Sequence, residues 1–584
     1  MKLEQLGSVV STDLLIIGHG IAGTTAALCA KEMNPELNVL LVDKASTGWA
    51  GKANKGGCIL VDVLSEKDAM EVVNWHVHKT GEFLNDQELF LKFIGKIPEA
   101  IDKMELWGAN VSRDAGGNHD TIPNFPAPWT LTGVDADFLL RMTNTAKKMG
   151  CSFMDKITVT DFLVSKGRVA GAVGFSLLNG EKFIFKANAV VLANGNQCYR
   201  AAPMWSCARG DGLAAAYRAG CDMRNGEFGT FRQISYCDVL GEVPSGEDYL
   251  FDANGNYLSP KYRIWLQKEE NLDKRGWMVY DSNAMTYIGM YKETIDGNGP
   301  LYYEEGLNEG RRKLTSYFRD TERWQRKKWL NWKKNEGMAL AKGNTTPDAP
   351  RRRVTALLIG EDSPLKVDGN MATSMPGLWA AGDVCYNGSG IPGAVPAPPA
   401  RLRGSGIMFA VVSALFAAQY AAVFASYNDA PEICEKQAET LLREAFAPME
   451  RTEGVDPMEV INAVRNVMSQ VEYSTYMKQE RLEEGLALIL AEKEKLSRLK
   501  TDDYHYLAVA NEARSFVLCA EMHFRTAMMR KESRGWFVRE DYPERDDENW
   551  LKSINFRKGT DGEPEFWFER VEIEKYPFQI EKGV

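Results

Sequence analysis

The chain has 584 residues, 44% of them hydrophobic and 26% charged, which excludes wholesale disorder, a collagen-like fibre and a membrane bundle. At roughly 150 residues per domain the length allows about four units, enough to bury a large core without disulfides or metals. Lys and Arg number 70 against 80 Asp and Glu, a net charge of −10, so there is no global attraction to nucleic acid or anionic lipid.

The first 13 residues carry one Lys and no apolar run, so no secretory signal is expected. Residues 13–17, DLLII, read as a strand; GHGIAG at 18–23 and the Ala-rich TTAALCAKEM follow as turn and helix; NVLLVD at 38–43 is a second strand. This is one βαβ unit. Residues 85–110 and 135–149 predict helices. Residues 168–186 predict a hairpin with Asn179-Gly180 as a type I′ turn, and AVVLANGN at 189–196 a buried strand ending in a tight turn. From about 235 to 350 the sequence is polar and aromatic without α/β alternation, as in an inserted domain. PGLWAAGD at 376–383 returns to the strand-then-glycine style. The apolar run Gly406 to Ala425 fits a central helix buried on all sides better than a membrane span, because it follows a Pro- and Gly-rich loop and contains Ser413, Gln419 and Tyr420. Residues 434–530 are helix-rich, and the last 50 read as a peripheral tail.

Gly18-His19-Gly20-Ile21-Ala22-Gly23 is G-x-G-x-x-G between a strand and a helix. Gly18 allows the tight turn, Gly20 lets backbone N–H groups approach a pyrophosphate at the helix N-terminus, and Gly23 permits close helix–strand packing. Asp43 lies 20 residues after Gly23, where a carboxylate accepts hydrogen bonds from an adenosine ribose and repels a 2′-phosphate. Ten Cys are scattered with no C-x-x-C pair, which argues against an iron–sulfur cluster or structural zinc on this chain. No metal is expected, and reduced thiols suit a cytoplasmic setting.

The tail KESRGWFVREDYPERDDENWLKS at 531–553, with PGLWAAGD and the STGWAGKANKGGCI loop at 46–59, resembles the flavoprotein subunits of succinate dehydrogenase and fumarate reductase. AFAPMER at 445–451, with its spacing to the tail, is more similar to the alpha subunit of adenylylsulfate reductase, of the same superfamily. The resemblance covers essentially the whole chain. It implies an α/β fold in which an FAD-binding, Rossmann-like domain of glutathione-reductase type is interrupted by an α+β capping domain and followed by a helical domain. The divisions are 1–234 and 351–430 for the FAD-binding part, 235–350 for the cap, 431–530 for the helices and 531–584 for the tail. It implies FAD contacts at Gly18, Gly20, Ile21, Ala22, Gly23, Asp43, Lys44, Ala53, Asn54, Gly56, Gly57, Ala193, Asn194, Gly195, Asp211, Gly382, Asp383 and Ser405.

The departures from the family are informative. Membrane-bound relatives attach FAD to a His in the loop before Gly-Gly. That place falls near Ala50, and no His lies between His19 and His76, so the flavin is expected to be non-covalent. Relatives carry a substrate His where this chain has Phe231-Arg232, and another before PGLWAAGD where it has Arg351-Arg352-Arg353. Arg401, in PAPPARLRGSG, stands where the family has a substrate-binding Arg. Arg401 and Arg232 are therefore the expected catalytic clamps for a small anionic substrate, since a guanidinium offers a fixed planar fork; Arg403 is a weaker candidate, and Arg232 has an ion pair with Glu227 as its alternative. Loop 388–399, stiff and apolar, reads as a wall against water or a plain connector. The basic, Trp-bearing run 311–334 reads as an amphipathic helix with a solvated face, with a docking face for an acidic ferredoxin-like subunit next and a nucleic-acid stripe after that. The implied function is an FAD-dependent oxidoreductase of the fumarate reductase kind, electrically wired to an iron–sulfur subunit. Adenylylsulfate reductase chemistry, or a flavin carrier without its own substrate, are the alternatives.

Overall fold

The computed structural model describes residues 2–53, 58–63, 65–79, 81–123, 129–202, 208–230, 232–237, 250–258, 282–304, 351–360, 363–386, 405–535 and 537–580. Strand β1 (Ser8–Ile17) leads through the glycine turn into helix α1 (Ile21–Met33) and strand β2 (Val39–Asp43). Strands β3 (Ser152–Asp155), β4 (Ile157–Ser165), β5 (Arg168–Ser176) and β6 (Lys182–Leu192) complete the first pass, and α2 (Asp211–Arg218) follows. After the insert come β7 (Leu378–Ala380), the long helix α3 (Ser405–Tyr427) and, in the helical region, α4 (Tyr504–Met529).

The main sheet runs β3-β2-β1-β6-β5-β4, with β7 also on β6. β3, β2, β1, β6 and β7 are parallel. Leu14, Leu15 and Ile16 are wholly buried, as a parallel strand covered on both faces requires. Strand β6 changes partner along its length: Lys182–Lys186 pair antiparallel with β5, and Val190–Leu192 pair parallel with β7. The register sets Ile17 beside Leu192 and Leu192 beside Ala380. The three turns that follow these strands therefore leave the sheet side by side at its carboxyl edge, where open α/β sheets take their ligands.

Helix α3 is the central helix expected from its apolar run. By length and composition it is long enough to cross a membrane, but 72% of its apolar window is buried within the protein. Its flank holds the cofactor segments: Ser413 Oγ accepts from Gly382 N–H at 2.8 Å, and Leu415 O accepts from Cys29 Sγ at 3.8 Å.

Three local expectations need correction. The Asn179-Gly180 turn is not type I′, because Gly180 alone has positive φ (71°) and its N–H bonds Ser176 O at 2.9 Å. Asn179 serves instead through its side chain, accepting from Glu181 N–H at 3.1 Å. The helix over 85–110 is two helices, Gln87–Gly95 and Ile97–Leu106, since Pro98 lacks the N–H a continuous helix needs. The tail, peripheral along its outer strand, is not a separate unit. Its hairpin, Lys552–Lys558 with Pro564–Arg570, adds Asn555 and Phe556 to the short strand Met223–Arg224, in one five-stranded sheet with 365–366 and 385–386. Arg530, Glu532 and Arg534 of the tail signature and its helix are buried, and Arg530 Nε reaches Glu227 Oε1 at 2.7 Å.

The insert contains an antiparallel sheet in the order 232–236, 351–358, 301–304, 250–251, with helix Ser282–Ile295. Its strands start at Arg232 and end at Leu358, a little outside the expected 235–350. The basic run 311–334 and loop 388–399 lie outside the described residues.

Candidate functional site

The glycine turn is built for close approach, and its three glycines do different work. Gly18 has φ 98°, and a Cβ there would sit 2.5 Å from Ala193 O. A Cβ on Gly23 would sit 1.8 Å from Gly18 O. Both glycines are required by the protein's own packing. Gly20 is not: a Cβ there would meet nothing among the described residues closer than Gly51 Cα at 3.6 Å. Gly20 is also the N-cap of α1 and offers no side chain to its first turn. Gly51 and Ala50 lie in ordinary contact with that position, so the helix N-terminus with its unsatisfied N–H groups faces a loop that approaches without crowding it, the setting in which a pyrophosphate is received.

Three segments face this turn. Gly51 lies against Gly20, with 3.4 Å from its own built Cβ to Gly20 Cα. Gly382 (φ 73°) stands over Ala22, 3.0 Å from Ala22 Cβ by the same measure. Asn194 and Gly195 follow β6, with Ala193 N–H held by Ile17 O at 2.8 Å. Asn194 Oδ1, Asn196 Nδ2 and Asp211 Oδ1 are buried without a hydrogen-bond partner among the described residues. Orphaned polar atoms around an open helix N-terminus fit a large polar ligand that supplies their partners, and a dinucleotide satisfies that chemistry.

Asp43 closes one end. Its Oδ2 accepts from His19 N–H at 2.9 Å and its Oδ1 from Ala45 N–H at 2.8 Å. A carboxylate has about four acceptor positions, so capacity remains for ribose hydroxyls. Lys44 is turned away from this end: its ammonium meets Asp211 Oδ2 at 2.5 Å and Glu512 Oε1 at 3.0 Å. Burial opposes its charge, but the Asp211 and Glu512 carboxylates together raise its pKa above the ordinary lysine value. Glu512, on α4, also holds Arg200 and, at 3.3 Å, Arg209. Burial would raise the Glu512 carboxyl, yet Lys44, Arg209 and Arg200 hold it well below the usual range.

Arg232 is misplaced as a substrate clamp. It is wholly buried. Its Nε donates to Thr475 Oγ1 at 2.7 Å, one terminal nitrogen to Ala356 O at 3.0 Å and Ser469 O at 2.9 Å, and the other to Ser474 Oγ at 2.7 Å and Met468 O at 3.4 Å. All five guanidinium N–H groups are used, so none remains for a substrate. Burial lowers its pKa to about 10. The carbonyls of Met468 and Ser469 end helix Pro457–Ser469, so the guanidinium caps a helix C-terminus. The alternative of a pair with Glu227 fails too, because Glu227 is taken by Arg530.

Of the other expected residues, Ile21 and Ala22 open α1, Ala53 packs on the main core and Ser405 begins α3. Asn54, Gly56, Gly57, Arg401 and Arg403 lie outside the described residues. Sequence reasoning missed Lys52, whose ammonium donates to Asn196 Oδ1 at 2.9 Å and lies 3.8 Å from Asp383 Oδ2. It also missed His19, whose buried ring meets Asp155 Oδ1 at 3.1 Å, and Glu512. A Lys inside a glycine-rich loop was the one available signal.

The model of an FAD binding domain matches residues 13–232, and that of a fumarate reductase flavoprotein C-terminal domain matches 462–583. The fumarate reductase flavoprotein subunit of Haemophilus influenzae is 25% identical, over 97% of this chain and 95% of its own length. The 8-methylmenaquinol:fumarate reductase flavoprotein subunit of Wolinella succinogenes is 27% identical over 98% and 93%. Among solved structures, an E. coli quinol fumarate reductase chain superposes with TM-score 0.78 at 22% identity, covering 98% of both chains. An adenosine-5-phosphosulfate reductase in complex with sulfite superposes with TM-score 0.76 at 21% identity, covering 99% of both.

Proposed function

Because the chain belongs to the superfamily of succinate dehydrogenase and fumarate reductase flavoproteins and is an FAD-dependent oxidoreductase, we propose that it exchanges two electrons with a small unsaturated carboxylate of the fumarate type. The observation that carries this reading is the convergence of the strand ends at Ile17, Leu192 and Ala380 beside the glycine turn and the N-terminus of α1. FAD, when bound, supplies two-electron chemistry at its N5. Gly20 and the first turn of α1 hold the pyrophosphate, and Asp43 the adenosine ribose. Arg401 is the clamp for the anionic substrate, a role that rests on its sequence setting and on the removal of Arg232 from the site. The flavin is held without a covalent bond, since the segment that precedes Gly51 offers no His and the nearby His19 ring is engaged by Asp155. Acid precipitation should leave the yellow colour in the supernatant; flavin in the pellet overturns this point.

Electrons reach the flavin from an iron–sulfur subunit of ferredoxin type, because this chain has no cysteine set for a cluster of its own. Cys29, Cys151, Cys221, Cys385 and Cys434 are free thiols, which supports a reducing, cytoplasmic setting. The deciding assay supplies reduced viologen to the FAD-loaded chain across fumarate, related acids and adenylyl sulfate. Turnover of fumarate-type acids, lost by more than a hundredfold in Arg401→Lys with flavin content unchanged, supports the reading. Turnover of adenylyl sulfate alone moves the chain to the second chemistry. No turnover with FAD still bound makes it an electron carrier.

A further inference from the structure

Away from the glycine turn, a second group of polar side chains converges. Helix Ile97–Leu106 carries Asp102 and Glu105 three residues apart, so both carboxylates stand on one face of its last turns. The chain then makes an arm that folds back on itself: Arg113 pairs with His119 across it, and Asp114 N–H donates to Asn118 O at 2.8 Å. The arm sets the His119 ring beside the helix. One ligand atom each from Asp102, Glu105 and His119 lies within 4.8 Å of the other two.

The imidazole is oriented from behind. Asp62 ends strand Ile59–Asp62, its side chain is 3% exposed, and its Oδ2 lies 2.8 Å from His119 Nδ1. A carboxylate only accepts, so Nδ1–H is the donor. The other ring nitrogen, Nε2, is left turned toward Glu105 Oε2 at 3.9 Å. A carboxylate behind the ring and an open nitrogen in front is the arrangement that presents a histidine to a metal. Arg113 already grips Glu105, through Nε at 3.1 Å and through a terminal nitrogen. A carboxylate has about four acceptor positions, so this fork leaves places on the His119 side. Lys103, on the same helix, is turned to Glu32 at 2.6 Å. Three carboxylates against one guanidinium leave the group net negative.

We propose that Asp102, Glu105 and His119 bind a divalent cation of the Zn²⁺ class, which clips the arm at 112–120 to helix Ile97–Leu106. One imidazole nitrogen and two carboxylate oxygens suit such an ion. Around a tetrahedral Zn²⁺ with bonds of about 2.1 Å the donors stand about 3.4 Å apart, so side-chain rotations of roughly 1 Å close the group. The ion takes the Nε2 lone pair, a proton held there leaves to solvent, and water fills the fourth position. The scattered cysteines argue only against a metal held by sulfur and have no bearing on a nitrogen–oxygen site. The proposal depends neither on the flavin nor on the identity of the substrate.

The test is calorimetric titration of Zn²⁺ into the full FAD-loaded chain, first stripped with a chelator, in a buffer that does not bind metal. One equivalent is expected, weakened by more than about a hundredfold in His119→Gln. Asp62→Asn touches no metal but loosens the ring from behind, and should weaken binding about ten- to a hundredfold. A surface histidine that collects Zn²⁺ adventitiously would not feel that change. Asp102 is exposed, so Asp102→Asn should weaken binding without disturbing the fold, which keeps the test open if His119→Gln fails to fold. Undiminished affinity in His119→Gln and Asp102→Asn would overturn the proposal. So would unchanged affinity in Asp62→Asn, or a site that disappears instead in His505→Gln, where an exposed ring follows Asp502 and Asp503.

Discussion

Arg232→Met separates a structural arginine from a substrate clamp. Methionine keeps most of the apolar stem but leaves five oxygens, of Thr475, Ala356, Ser469, Ser474 and Met468, without their donors in a buried place. A hydrogen bond from a charged donor contributes about 1.5–3 kcal/mol. The low end applied to the bonds of Arg232 gives roughly 7 kcal/mol in favour of the arginine. Burial works the other way: a guanidinium pushed from its ordinary value down to about 10 is disfavoured as a cation by about 3 kcal/mol, at 1.36 kcal/mol per pKa unit. The difference, about 4 kcal/mol, is a large share of the 5–15 kcal/mol that typically holds a domain together. Strand Arg232–Tyr236 and helix Pro457–Ser469 are tied by this one side chain, so the loss falls on the junction of cap and helical region. Melting of the FAD-loaded variant should drop by about 8 °C, at roughly 2 °C per kcal/mol, and any fall in turnover should track the folded fraction. A variant that melts like the parent yet turns over a hundredfold more slowly would refute this reasoning and restore Arg232 to the active site.

Gly20→Ala should fold normally, since its Cβ clears the described chain by 3.6 Å, yet lose FAD affinity tenfold or more; Gly23→Ala, with its Cβ 1.8 Å from Gly18 O, should lose stability by several kcal/mol. Melting curves with flavin absorbance check both, and normal FAD occupancy in Gly20→Ala would count against the cradle. Asp43→Ala removes a charge-assisted contact of about 1.5–3 kcal/mol, so FAD retained after dialysis should fall about tenfold. His76 and His523 are buried, which lowers their pKa values to about 3 and about 4. Near pH 6.5 the unfolded chain starts to take up protons that the folded chain refuses, so their contribution is intact above 6.5 and is lost as pH falls towards 4. The slope is about 1.4 kcal/mol per pH unit for each His, and a melting-versus-pH curve for His523→Gln that runs parallel to the parent would dismiss it.

What the sequence disclosed depended on whether the cause was local. The turn from Gly18 to Gly23 was legible because tight packing of backbone on backbone is written in glycine. The three returning strand ends were legible as apolar runs that each stop at glycine, and sheet register then brought Ile17, Leu192 and Ala380 together. Helix α3 was legible for the opposite reason, since an all-apolar helix must be covered on nearly every side. Arg232 was misread because its partners, Ser469, Ser474 and Thr475, lie some 240 residues away and look in sequence like ordinary polar surface. Position in a family pattern assigned the arginine a task, and only the hydrogen-bond count removed it. The charges that lead into the tail hide a similar long-range cause: Arg530, Glu532 and Arg534 neutralise one another and Glu227 in the interior.

The charges of Lys44, Arg200, Arg209 and Glu512 extend that lesson to function. Each is unremarkable where it stands in the chain. Glu512 belongs to α4 of the helical region, while Lys44 follows Asp43 directly and Arg209 precedes α2 and its Asp211. One carboxylate thus gathers three separate stretches of chain, and it stays ionised because those three cations outweigh its burial. Removing it would take from Lys44, Arg200 and Arg209 the carboxylate they share and leave Lys44 with Asp211. The helical region, which carries no nucleotide motif of its own, is in this way tied to the segments that follow β2 and precede α2. Ion pairs of Glu512 join it to the FAD-binding domain, and hydrogen bonds of Arg232 join it to the cap.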